Sequence, residues 1–376
     1  MIGSFTRVRP DERAPAYAAA LTVFAVMIAH ALLETARDAL FLANVSATRL
    51  PWMYLTLALV AVALGQIASR PSGGDSRRAV VLLQLAAAAG TAAMGWLIHV
   101  SGDYAYYLLY VWTGVAASAI LVRLWLHLGD RFTATQAKRV YPIVSAGSVA
   151  GILAGFALSS VITERLSAEA LLWASALAFF ASAAGLGALA PRTSVRTVVP
   201  PPGEPAVEPS AGSLAARAGS AIRDPYVRRI ALVLFLGSLT ATSVDYSFKS
   251  VVAAHVEAAE LGTFLARSYL LFNLLALAVL LIGSDPLVRR LGVSGALTLL
   301  PAALLVATIG WAFVGAFVAA FLLKGADGAL RWSTHKTAAE LLYVPISDGR
   351  RRQVKGVVDL VMQRGGQAVG SFLILG

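Results

Sequence analysis

The sequence predicts an all-α, polytopic membrane protein, and three observations carry that prediction. Hydrophobic residues make up 58% of the 376-residue chain and charged residues 14%, with a mean hydropathy of +0.73, well above the range of soluble domains of this size. The apolar residues gather into continuous runs of bilayer-spanning length, about 20 residues, instead of alternating as barrel strands do. The lysines and arginines between the runs fall on alternate loops, as they do in proteins oriented by an anionic inner leaflet.

Eleven runs follow one another along the chain: residues 16–43, 50–69, 79–100, 104–128, 141–163, 168–190, 227–253, 262–283, 292–311, 313–343 and 356–376. Inside lipid a run of this kind satisfies its backbone polar groups only as a helix. The start, "MIGSFTRVRPDERAP", lacks the layout of a cleavable signal, so the first span is expected to stay in the mature protein. With the amino terminus cytoplasmic, the inside segments hold Arg7, Arg9 and Arg13, then Arg70, Arg77 and Arg78, then Arg131, Lys138 and Arg139, and later Arg289, Arg290, Arg350, Arg351, Arg352 and Lys355. Outside loops hold Arg49 and Arg165 among the acids Asp103, Glu164, Glu257 and Glu260. The asymmetry sets the orientation and absorbs most of the +11 net charge, so the expected partner is a lipid bilayer, that of a bacterial inner membrane, and not nucleic acid.

Cysteine is absent, which excludes a disulfide framework and cysteine-based metal or redox chemistry. No Walker loop, zinc motif or nucleophile elbow is found, so neither an enzyme nor a cofactor is expected. After six spans the stretch 191–226, which contains "PPPGEPAVEPS", is too rich in Pro, Ser, Ala and Gly to bury a core and reads as a cytoplasmic linker. It separates an amino-terminal half, 1–190, from a carboxy-terminal half, 227–376. The halves rhyme, because "SRPSGGDSRRAVV" after the second span and "GSDPLVRRLGVSGAL" after the eighth are short basic turns at corresponding places. Two halves with such turns resemble the major facilitator superfamily, which implies two six-helix halves and a twelfth span beyond residue 376.

Charge within the spans is unevenly placed. Span 1 holds Glu34, Arg37 and Asp38, span 4 Arg123, span 7 Asp245 and Lys249, and span 10 Lys324, Asp327, Arg331, Lys336 and Glu340, whereas spans 2, 3, 5, 6 and 9 hold none in their interiors. A charge at the bilayer centre costs on the order of 3 kcal/mol, so spans 1, 4, 7 and 10 are expected to surround a cavity. In span 10, Lys324, Asp327, Arg331 and His335 recur at i, i+3, i+7 and i+11, on one helical face. In span 7, Ser238, Thr242, Asp245 and Lys249 repeat the device, and in span 4 the face of Arg123 also carries Trp112 and His127. Basic groups beside an aromatic ring suit an oxyanion attached to a flat ring. The same residues also suit structural pairs, Lys324 with Asp327, Asp245 with Lys249 and Glu34 with Arg37. Gly147, Gly151 and Gly155 form a small-residue ridge expected to let two helices approach closely.

Three segments carry a more specific resemblance. "ALRWSTHKTAAELLYVPISDGRRRQVKGVVDLV", "FTATQAKRVYPIVSAGSVAG" and "RDALFL" resemble the ATP/ADP translocases of plastids and obligate intracellular bacteria. The resemblance puts Arg331 on a family Lys, Trp332 on a Tyr, Ser333 on a Ser, Glu340 on the Glu before "YVP", Lys355 and Asp359 on a Lys and an Asp entering span 11, and Arg37 and Asp38 on a Lys-Asp pair. Ala339 replaces a family Lys and Lys336-Thr337 an Asp-Pro, so the implied cargo broadens to a phosphorylated or carboxylated anion. The expectation is a secondary transporter that exchanges a nucleotide or related organic anion by alternating access. Arg37, Arg123, Lys249, Lys324, Arg331 and Trp112 would bind substrate; Glu34, Asp38, Asp245, Asp327, Glu340, Lys355 and Asp359 would pair charges or gate. The alternative is a sensor or scaffold of the same fold, with a cytoplasmic domain fused or associated beyond residue 376.

Overall fold

The computed structural model describes residues 8–68, 76–188 and 219–376, and every regular element among them is helical. Arg7, Arg70 and the linker through Glu204 up to residue 218 lie outside the described residues. In chain order the helices are α1 (Pro10–Asn44), α2 (Leu50–Ala68), α3 (Ser76–Val100), α4 (Tyr104–Arg131), α5 (Ala134–Arg165), α6 (Ala170–Ala188), α7 (Pro225–His255), α8 (Leu261–Ala278), α9 (Ser284–Gly310), α10 (Ala316–Leu330), α11 (Lys336–Leu341) and α12 (Asp348–Leu375). Each of the eleven apolar runs has helix within its described residues, and eight helices among those residues are long and apolar enough to cross a membrane. The apolar part of α6, Ala170–Leu186, is shorter. The charged tenth run is divided by a π-helical turn, Arg331–His335, and α12 opens on an arginine-rich stretch.

The chain folds as two compact units. The first comprises Met1–Val45, Pro71–Val199 and Glu257–Leu270. Helix α1 is its centre and packs on α4, α5 and α6, while α3 packs on α4 and α6. The apolar positions Ala16, Ala19, Val23 and Val26 recur every three or four residues and are all buried, so one stripe of α1 enters the core. The glycine ridge of α5 is what permits the α1 contact. A Cβ on Gly147 would lie 2.6 Å from the Ala20 carbonyl oxygen, one on Gly155 2.6 Å from the Ala31 Cβ, and one on Gly151 would strike the Phe24 carbonyl. Thr133 caps α5 with its hydroxyl on the Gln136 N–H, and the Gln136 side chain accepts from the Thr133 N–H, so two otherwise orphaned donors are satisfied.

The second unit comprises Ser46–Arg70, Pro200–Val256 and Leu271–Gly376. Helix α12 packs against α7 and α2, and α10 against α7 and α9. A second glycine seam joins α12 to α7: a Cβ on Gly366 would meet the Phe235 carbonyl, and one on Gly370 would lie 3.2 Å from the Leu239 carbonyl oxygen. Helix α9 is broken at Gly292, whose φ of 69° and ψ of 178° suit a residue without a Cβ. The break turns the chain out of the basic stretch holding Arg289 and Arg290 and into the ninth span. A second π-helical turn, Val279–Gly283, ends α8 and packs against Arg331–His335.

Candidate functional site

In the first unit, α1 holds its own ion pair. Arg37 donates from Nε and Nη2 to the two carboxylate oxygens of Asp38 at 2.8 and 2.9 Å. Glu34 lies 3.8 Å from the same guanidinium, which also sits 4.6 Å above the Tyr110 ring. Asp38 is buried, and its Oδ2 accepts from the Tyr269 hydroxyl of α8 at 2.8 Å. Arg37 is thus fixed from three sides. On α4, Arg123 is half-buried and His127 buried. Trp112 serves packing: its Nε1 donates to Thr91 of α3 at 3.1 Å, and its ring occupies the space a side chain at Gly90 would need.

In the second unit, Asp245 of α7 is the hub. It accepts from Lys324 of α10 at 2.6 Å, from the Tyr54 hydroxyl of α2 at 2.7 Å, and lies 3.0 Å from Lys249 one turn along α7. Lys249 is 3% exposed. Two lysines therefore share one carboxylate in a setting where neither ammonium can be solvated freely. The Asp245–Lys249 pair is as the spacing expected, but Lys324 does not pair with Asp327. Lys324 reaches across to α7, and Asp327 is left for Arg331, which stands a full turn away at i+4 and binds it through Nε at 2.8 Å and through Nη2. Arg331 Nη1 also donates to the Gly237 carbonyl of α7 at 2.8 Å. Lys324 of α10 and Arg331 of the π turn that continues it both address α7, seven residues apart on their own segment and eight apart on α7, as antiparallel helices require.

The π turn places Arg331 and His335 between two cavities of the second unit. One, of ≈ 260 Å³, is lined by Arg331, Trp332, His335 and Lys336, and opposite them by Tyr343, Asp359 and Gln363. The other, of ≈ 580 Å³, is mostly apolar and lies between α7 and α9. An inserted residue in a helix costs ladder hydrogen bonds and is retained most often where side chains must be re-aimed for function. Beside the polar cavity, Glu340 binds Lys355 and lies 3.2 Å from Lys336, and the Tyr343 hydroxyl donates to Asp359 Oδ1 at 2.6 Å. Among the residues expected at a site, the structure brings Asp245, Lys249 and Lys324 together, and Glu340 and Asp359 to the wall of one cavity with Arg331, Lys355 being bound to Glu340. Arg37, Asp38, Glu34, Arg123 and Trp112 belong to the first unit. Missing from the sequence reading are the tyrosines. Tyr54, Tyr269 and Tyr343 each end on a carboxylate of another helix, and a tyrosine near a span end reads only as an interfacial anchor.

No family profile and no curated protein matches the chain by sequence. Solved structures do match by fold. The nucleoside transporter NupG superposes with a TM-score of 0.66 at 12% identity, over 95% of this chain and 89% of that one. A bacterial homologue of the human lysosomal transporter Spinster, in an inward-facing and unoccupied conformation, gives 0.63 at 14% identity over 96% and 81%. A D-xylose-proton symporter gives 0.61 at 12% identity over 96% and 89%. The fold is that of the major facilitator transporters, and the chain is an integral, multi-pass membrane protein.

Proposed function

We propose that the protein is a secondary transporter that alternates access to move a nucleotide or related organic anion, with its amino terminus and linker in the cytoplasm of a bacterial cell. The observation that carries this reading is the polar cavity of the second unit, where Arg331, His335 and Lys336 stand beside Trp332 and Tyr343. Arg331 spends three N–H groups on Asp327 and Gly237, and its fork keeps two for an oxyanion. The aromatic rings offer a face to a base or sugar. That a nucleoside transporter shares the fold supports including unphosphorylated nucleosides among the candidate cargoes. The test is uptake and counterflow by proteoliposomes offered labelled nucleotides, nucleosides and organic phosphates, with ligand-induced thermal stabilisation of the purified protein alongside.

A second reading, a sensor or scaffold that binds without turnover, has one observation in its favour. Arg37, Lys249, Lys324 and Arg331 each already hold a carboxylate, as charges kept for structure do. Thermal stabilisation by a ligand without uptake or counterflow of it selects this reading.

A further inference from the structure

The acids within the spans are not alike. Asp38 is bridged by Arg37, Asp245 by Lys249 and Lys324, Asp327 by Arg331, Glu340 by Lys336 and Lys355, and Glu34 lies within 3.8 Å of Arg37. Each of these acids answers a cation that it would leave less well compensated if it took up a proton. Among the described residues Asp359 is the one carboxylate within a span that no basic side chain bridges. It lies on α12, half-buried, and lines the polar cavity. One oxygen, Oδ1, accepts from the Tyr343 hydroxyl at 2.6 Å, and among the described residues no hydrogen bond reaches the other.

We propose that Asp359, oriented by Tyr343, is a proton-binding site and that solute movement through the cavity is coupled to it; the coupling rests on the transporter reading, the site on the geometry alone. A hydronium in the cavity gives its proton to Oδ2, while Oδ1 keeps the Tyr343 hydrogen bond. The carboxylate becomes a neutral carboxylic acid, a bare carboxylate is removed from a membrane-embedded wall, and the proton returns to water when the site faces the other side. The surroundings leave room for both states. From α11 and α12, Lys336 and Lys355 favour the carboxylate and Glu340 opposes it, with Glu340 already engaging both lysines. From the π turn, Arg331 is held by Asp327, and His335 lines the same cavity. From α7, the cavity wall of Val233, Leu234, Gly237, Ser238 and Ala241 carries no titratable side chain. A charge-balanced wall beside an unbridged carboxylate is what a reversible proton site needs.

Infrared difference spectroscopy of the purified full chain, taken between mildly alkaline and mildly acidic buffer, tests the site without any substrate. The expected result is a protonated-carboxyl band in the wild type that is lost in Asp359→Asn and shifted in Tyr343→Phe, where its hydrogen bond is gone. A band that persists in Asp359→Asn, or no band in a wild type that is folded by circular dichroism, overturns the proposal. Proteoliposomes under a pH gradient then test coupling: one proton per solute gives about tenfold accumulation per unit of pH gradient, lost in Asp359→Asn. Counterflow in the wild type with accumulation indifferent to the gradient overturns coupling while leaving transport. The band without counterflow of any solute upholds the proton site and removes the transporter reading.

Discussion

Replacing Asp245 by asparagine removes the only carboxylate that Lys249 and Lys324 share among the described contacts, at nearly constant volume. Lys249 is 3% exposed, so its ammonium has almost no water to turn to once the charge opposite it is gone. Breaking a buried pair from one side costs about 3–5 kcal/mol. Lys324, with its side chain 18% exposed, recovers part of its solvation and adds less. Tyr54 keeps an acceptor in the asparagine carbonyl, so its share is small. The sum is at least ~3 kcal/mol, which at 2–4 °C per kcal/mol for a unit of this size lowers the melting temperature by roughly 6–12 °C. Intrinsic tryptophan fluorescence during thermal unfolding in detergent reads the shift. Lys249→Met in the same background restores charge balance at the most buried position. The double variant is therefore expected to melt above Asp245→Asn, with a coupling of about 1–3 kcal/mol. If Asp245→Asn melts within ~2 °C of the wild type, or Lys249→Met makes it worse, Asp245 is not the counter-charge and the cluster is not what joins α2, α7 and α10.

Other outcomes follow from the same contacts. Arg331→Ala is expected to weaken anion binding at least tenfold, about 1.4 kcal/mol, in a calorimetric or thermal-shift titration. Because it strands the buried Asp327, Arg331→Ala with Asp327→Asn is the variant that separates lost binding from lost stability; wild-type affinity in that double variant would place the anion elsewhere. Gly151→Leu drives a side chain into the Phe24 carbonyl and is expected to abolish folded yield, read by gel filtration, whereas Gly185→Ala, with open space around it, is expected to be silent. Gly292→Ala, at φ 69°, is expected to cost about 1–2 kcal/mol in unfolding measurements. A single cysteine at Glu204 should react with an impermeant thiol reagent only from the cytoplasmic side and one at Glu257 only from outside, clean in a chain without native cysteine; the reverse labelling refutes the orientation.

The helices themselves were legible because a bilayer leaves a long apolar run no alternative to helix, so 16–43 and 227–253 name α1 and α7 within a few residues. The glycine ridge of α5 was legible for a similar reason, since small residues at i, i+4 and i+8 have one common use between helices. The charged stretch from Lys324 onward also announced itself, because lipid makes every ionisable side chain an anomaly that must face something. Spacing could not say what. An i, i+3 pair and a cross-helix pair are both open to Lys324, and only the arrival of α7 beside α10 decided for Asp245 and left Asp327 to Arg331. The tyrosines were silent for the same reason, as a hydroxyl gains its meaning from the carboxylate that another helix brings to it.

What the sequence by itself determined is therefore the class of protein, its spans and the residues that must be explained, since these follow from solvation, which acts on each segment separately. What only the tertiary structure decided is who neutralises whom, where the π turn places Arg331 and His335, and which acid, Asp359, no basic side chain among the described residues bridges. Those outcomes depend on distances of a few ångströms between helices far apart in the chain, and pairwise electrostatics in a low-dielectric medium is set by such distances and not by composition.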